Sequence, residues 1–197
     1  MWLKDYFSLL YVLAIWGTSR LQSGRFFLSK KPIWMFCSAI LAMTGFAFYN
    51  TRAQFLLWLG NDLSKYLIPP YSSINYFLKY SLYHFWLSYI VSLIIGLIFF
   101  FLASYYNKKH GNIFFEKEEP YFLALSIFLA GHPGWILYLI IMFLVTLLYS
   151  SYSWLSAKEM HRISFYYWWL PLAGLTIILD KFLLQYWAFY SIFIFSK

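Results

Sequence analysis

The sequence predicts an all-α, polytopic helical integral membrane protein with about seven transmembrane helices in one domain over residues 1–197. Three observations predict it. First, 62% of the 197 residues are hydrophobic and only 11% are charged, where a soluble domain carries about 25% charged residues. The mean hydropathy is +0.63. Second, apolar runs of membrane-crossing length alternate with short loops that hold most of the Lys and Arg. Third, 26% of residues are aromatic, with 10 Trp and 19 Tyr. Rings with one polar tip settle at membrane–water boundaries, and a chain with many crossings has many such boundaries.

The same numbers exclude several classes. The formal net charge of +8 comes without a soluble fold or a basic stripe. It reads as basic cytoplasmic loops, not as a nucleic-acid surface. Cys37 is the single cysteine, so neither an internal disulfide nor a zinc cluster is expected. Lying inside an apolar run, it reads as a small packing residue. His84, His110, His132 and His161 show no HxxxH or HExxH spacing, so no metal is expected. No Gly-rich phosphate loop is present, which disfavours an ATPase, and no cofactor is implied. The first apolar run has the length of a signal-peptide core. Asp5 and the stretch Gly17-Thr18-Ser19-Arg20 fit a cleaved leader poorly.

The elements follow in order. Tyr6–Gly17 is a short apolar segment that needs Trp2, Leu3 or Leu21 to span. A loop with Arg20, Arg25, Lys30 and Lys31 follows. Ile33–Tyr49 is a crossing, with Lys31-Pro32 as its start signal. Asn50 to His84 holds Arg52, Asp62, Lys65, Lys79 and the Pro69-Pro70 break. It reads as amphipathic interfacial helices, with room for one weak extra crossing. Phe85–Tyr106 is the clearest span, closed by Lys108 and Lys109. Pro120 to Gly134 is a short arm, tilted or re-entrant. Trp135–Trp154 is a full span. Lys158, Glu159, His161 and Arg162 form the next loop. Phe165–Leu179 is a further span ended by Asp180-Lys181, and Phe182–Phe195 is a marginal last segment. Loops 18–32, 107–119 and 155–164 concentrate the cations and are expected in the cytoplasm, with the N-terminus outside.

Residues 116–154 organise the chain. Glu116-Lys117-Glu118-Glu119-Pro120 precedes an apolar run, His132-Pro133-Gly134 breaks it, and a second apolar run returns. Pro120 suits a first helical turn, where its missing N–H would be unpaired anyway. Glu116, Glu118 and Glu119 stand where a helix dipole favours anions. Two readings stand: a capped interfacial helix start, and a functional acid site at the membrane surface.

The stretch Glu119-Pro-Tyr-Phe-Leu-Ala-Leu-Ser-Ile-Phe-Leu-Ala-Gly-His-Pro-Gly134 resembles the segment of prepilin peptidases (type IV leader peptidases) that begins with their GxGD motif. Glu119 stands at the position of the family's second catalytic Asp. Glu116 and Glu118 replace the two glycines. Phe46-Ala-Phe-Tyr-Asn-Thr-Arg52 resembles the first catalytic segment, with Asn50 at its Asp position. Arg162-Ile-Ser-Phe-Tyr-Tyr-Trp-Trp-Leu170 and the run Leu172 to Tyr186 resemble the late family stretches. The resemblance covers roughly residues 33–56 and 113–187. The cysteine-pair motifs of long family members are absent.

The resemblance implies a bacterial inner-membrane protein related to an aspartic peptidase. Such chemistry needs two carboxyls sharing a proton. Asn50 cannot ionise, so the implied protein has lost peptidase activity. It would act as a membrane subunit of a pilus or secretion machine, beside other membrane subunits or pilin-like proteins in the lipid bilayer. One alternative is a divergent aspartic peptidase using Glu119 with another acid, such as Asp62. Another is a small transporter or channel subunit, which the lack of charges within the clear spans disfavours. The family keeps both acid positions at the cytoplasmic face, whereas the loop charges put Asn50 outside and Glu119 inside. An extra crossing between Asn50 and His84 would bring them to one side.

Overall fold

The structure, a computed structural model, describes residues 2–21, 32–156 and 168–186. Seven α-helices are seen among them: α1 (Trp2–Leu21), α2 (Pro32–Gly60), α3 (Asn75–Ser81), α4 (Leu87–Lys109), α5 (Glu119–Ala130), α6 (Gly134–Ser156) and α7 (Trp169–Tyr186). No strand occurs among the described residues. A 3-10 turn at Ser64–Leu67 lies between α2 and α3. A π-turn at Leu82–Trp86 joins α3 to α4 without a break.

The expected spans are present as helices, several of them longer than the apolar runs. The crossing expected over Ile33–Tyr49 continues to Gly60. Phe85–Tyr106 extends backward to Asn75, making a continuous helix of 35 residues. The polar residues between Asn50 and His84 therefore do not interrupt these helices. They cluster where α2 and α3 meet, and no extra crossing separates Asn50 from His84. Asp180-Lys181 does not end its helix, because α7 runs on to Tyr186. Cys37 lies on the exposed face of α2, not within the packed core. The last expected segment falls largely on residues 187–197, outside the described residues; of the loops expected over 18–32 and 155–164, residues 18–21 and 155–156 are helical and the stretches 22–31 and 157–164 also lie outside the described residues.

Three helices are long and apolar enough to cross a membrane: Pro32–Gly60, Asn75–Lys109 and Gly134–Tyr152. The apolar helices Tyr6–Trp16, Glu119–Ala130 and Trp169–Asp180 are shorter. Outward faces carry large apolar side chains, such as Leu41, Phe101, Phe143 and Leu148. This is the pattern of helices that face lipid, where a hydrocarbon solvent removes the need for a polar outside.

The centre of the bundle is α5. It touches α1, α2, α4, α6 and α7. Of its 12 residues, all but Tyr121 and Ala130 are buried. Its ends are set by local chemistry. Pro120 occupies the first turn, and Gly131 leaves the helix at φ +70°, a conformation that other residues adopt only with strain. The tightest contact is with α4, which runs antiparallel beside it. Ser92, Gly96, Ala103 and Asn107 are the buried residues of α4, and they share one face. A Cβ built on Gly96 would lie 2.9 Å from the Ala124 carbonyl oxygen. Without a hydrophobic driving force in lipid, helices associate where small residues let backbones approach.

This crossing yields a paired prediction. Gly96→Ala must push the α5 backbone away and is expected to cost about 1–3 kcal/mol. Gly45→Ala, with no atom within 4 Å of its added Cβ, is expected to be neutral or stabilising by at most about 1 kcal/mol. Thermal unfolding of the purified protein in detergent checks the pair. Equal midpoints for the two variants would contradict the close crossing.

Candidate functional site

The acid-bearing start of α5 is built from its own loop. Asn107, buried in α4, faces the segment that leads into α5. Its Nδ2 donates to the Phe115 carbonyl at 2.8 Å, and its Oδ1 accepts from the Phe115 N–H at 3.0 Å. Its own carbonyl accepts from the Asn112 N–H at 2.7 Å. One amide side chain thus fixes the loop from both sides. Gly111 and Asn112 take positive φ values of 69° and 60° to make the return.

Glu119 is 1% exposed. Its Oε2 accepts from the Glu116 N–H at 3.0 Å, while its own N–H donates to the Glu116 carbonyl at 3.1 Å. This reciprocal pair closes the turn just before the helix, while the first helical N–H groups, of Tyr121 and Phe122, donate to the Glu118 carbonyl at 3.1 and 3.3 Å. The carboxylate also lies at the positive end of the α5 dipole. Glu116 and Glu118 are half-buried beside it, and Lys117 is exposed.

The opposite end of α5 is held by a second clamp. Ser88 Oγ donates to the His132 carbonyl at 2.9 Å and accepts from the His132 N–H at 3.2 Å. The Trp135 indole N–H donates to His132 Nδ1 at 3.1 Å. Asp180, on α7, lies over the first residue of α6: a Cβ on Gly134 would be 3.6 Å from Asp180 Oδ1. A carboxylate in that place favours the α6 N-terminus. Midway along, Ser126 and Tyr138 both donate to the Trp169 carbonyl, at 3.1 and 3.5 Å, tying α5 and α6 to the start of α7.

The residues singled out in the sequence are not brought together. Asn50 sits on α2 and donates to the Phe46 carbonyl at 2.9 Å. Its neighbour Thr51 accepts from the Trp86 indole at 3.1 Å, just before α4 begins. Glu119 lies near the other end of α4, one half-turn from Tyr121, whose ring meets Phe100 at 4.7 Å. The rise of α4 between these levels separates Asn50 from Glu119 by roughly 25 Å. Asp62 lies further out, paired with Lys65 at 2.8 Å. Asp180 is at the His132 end of the hairpin, about one α5 length, or ~18 Å, from Glu119. A proton-sharing dyad needs carboxyls about 3 Å apart, and none of these pairs approaches that. No group of three His, Cys, Asp or Glu side chains suited to a metal occurs among the described residues.

Sequence reasoning passed over the residues that hold this site. Ser88, Ser92, Gly96, Ala103 and Asn107 are small or polar positions recurring at helical spacing within an apolar run. That stripe was the available signal for the α4–α5 contact. Comparison with protein families, characterised proteins and solved structures finds no match for this chain.

The Asn107 clamp generates a prediction. Asn107→Ala removes both bonds to Phe115 and leaves its backbone groups unsatisfied, an expected loss of about 1–3 kcal/mol. Amide exchange should accelerate across 110–118 while α6 stays protected. Uniform exchange in variant and parent would contradict the clamp.

Proposed function

We propose that this chain is a prepilin-peptidase-like protein of the bacterial inner membrane that has lost peptidase activity. It crosses the membrane about seven times, with the N-terminus outside. It serves as a membrane subunit of a pilus or secretion machine, packed against other membrane subunits or pilin-like proteins. The observation that carries the inactive reading is the roughly 25 Å between Asn50 and Glu119. Asn50 cannot ionise, and Asp62 and Asp180 stand at other levels of the bundle from Glu119. The hairpin keeps the form of the family segment: an apolar helix, a glycine at positive φ, a Pro-Gly turn and a returning helix. That retained form supports the resemblance at the hairpin, while the separation of Asn50 from Glu119 departs from the family's arrangement and leaves these two positions unable to act as a pair. The functional reading rests on the resemblance over residues 33–56 and 113–187, and fold alone would not supply it.

The test is a prepilin cleavage assay with an active peptidase as positive control. The parent, Glu119→Gln, and the double variant Asn50→Asp with Glu119→Asp are all expected to leave the substrate intact. The double variant stays inactive because the new carboxylates remain far apart. Cleavage by the parent that Glu119→Gln abolishes would overturn the reading in favour of a divergent peptidase. Removing the chain from its host is expected to abolish surface filaments or secretion while prepilin processing continues. Retained filaments and secretion would contradict the subunit role.

A further inference from the structure

Beyond the Ser88–His132 level, α2 and α3 continue as a helical hairpin that leaves the rest of the bundle behind. The rings of Trp58, Phe77 and Tyr80 form its interior, with centroids 5.3 Å (Trp58–Phe77) and 5.0 Å (Trp58–Tyr80) apart. Phe55 meets Phe77 at 5.2 Å. The tip therefore has a small core of its own. Around that core, aliphatic side chains point outward on every side. Leu56 and Leu57 are 56% and 66% exposed on α2, Leu63 is 85% exposed at the turn, and Leu78 is 52% exposed on α3. Leu56 and Leu57 alone diverge by about 100° around their helix. A protein partner covers one contiguous face, whereas this distribution suits a medium that surrounds the tip.

Charge and length point to the same medium. The segment from Arg52 to His84 holds three cations, Arg52, Lys65 and Lys79, and one acid, Asp62. Lys65 neutralises Asp62 at 2.8 Å. Arg52 and Lys79 are exposed and have no acid partner among the described residues. The 29 residues of α2 measure about 43 Å. A bilayer with its headgroups measures about 40–45 Å, against about 30 Å for its hydrocarbon alone. The other arm, the continuous helix Asn75–Lys109, has 35 residues, about 52 Å, and at a tilt of about 30° it reaches from Lys108–Lys109 in one headgroup layer to the other. Tyr66, Tyr71 and Tyr76 are exposed at that level, where amphipathic rings settle.

We propose that the hairpin tip from Arg52 to Tyr83 is a lipid-binding foot, seated in the headgroup layer opposite Lys108–Lys109, with Arg52 and Lys79 contacting lipid phosphates. It fixes the depth and tilt of the two longest helices and hence the level of the buried α5. The inference does not depend on the pilus or secretion reading.

The test uses the full chain with Cys37→Ser, carrying a spin label at Leu63→Cys, in nanodiscs of phosphatidylcholine and phosphatidylglycerol. Collision with oxygen and with a water-soluble nickel complex is expected to place the label inside the headgroup layer, about 6 Å thick. Nickel accessibility equal to that of a free aqueous label would overturn the proposal. Dipolar broadening lost on dilution with unlabelled protein would also overturn it, assigning the tip to a second copy. In the double variant Arg52→Gln with Lys79→Gln, both positions are exposed, so the fold is kept. Its retained phosphatidylglycerol, relative to phosphatidylcholine, is expected to fall several-fold. An unchanged ratio would overturn the phosphate contact.

Discussion

Burying a short helix on all sides is the constraint on which the rest of the structure depends. A helix leaves backbone donors unpaired at its start and acceptors at its end. In a bilayer, neither water nor lipid tails can satisfy them. At only 12 residues, α5 is enclosed by its neighbours over nearly its whole length. Its neighbours must therefore supply polar partners inside the bundle. Glu119 serves the N-terminal approach, Asn107 fixes the loop before it, and Ser88 fixes the turn after it. The glycine at 96 lets α4 come close enough for those side chains to reach.

This constraint gives the buried carboxylate a structural role. An isolated ionised group in a low-dielectric interior is expensive. Beside the α5 N-terminus and bonded to the Glu116 N–H, Glu119 has electrostatic and hydrogen-bond reasons for its position. The same holds for Asp180 over the start of α6. Both acids lie at helix beginnings, at opposite ends of the hairpin. An acid cluster read as chemistry in the sequence is, in space, part of how two helices begin.

The helical class was legible because composition and run length respond directly to the bilayer. The hairpin around Gly131 and Pro133 was legible because breakers act locally. Helix lengths were less so. Arg52, Gln54 and Lys79 lie within continuous helices, whereas a hydropathy reading ends the span at the first polar residue. The Asp180-Lys181 pair misled in the same way, since Asp180 meets Gly134 from within a continuing helix. The contacts of Asn107 and Ser88 were hidden for a different reason. They join residues brought together only by the antiparallel packing of α4 and α5, and only the small-residue stripe on α4 announced that packing. The separation of Asn50 from Glu119 followed from loop charge, whereas the family resemblance argued for one side.

The central claim is that Asn50 and Glu119, the two positions singled out by the resemblance, stand at opposite ends of the bundle. The most direct measurement is a pulsed electron–electron distance between spin labels at Arg52→Cys and Lys117→Cys, in a Cys37→Ser background. Both positions are exposed and lie within two residues of Asn50 and Glu119, respectively. The account predicts a distance of roughly 25 Å or more. A distribution centred near ~10 Å, the scale of neighbouring helices, would contradict it and return the two positions to one site.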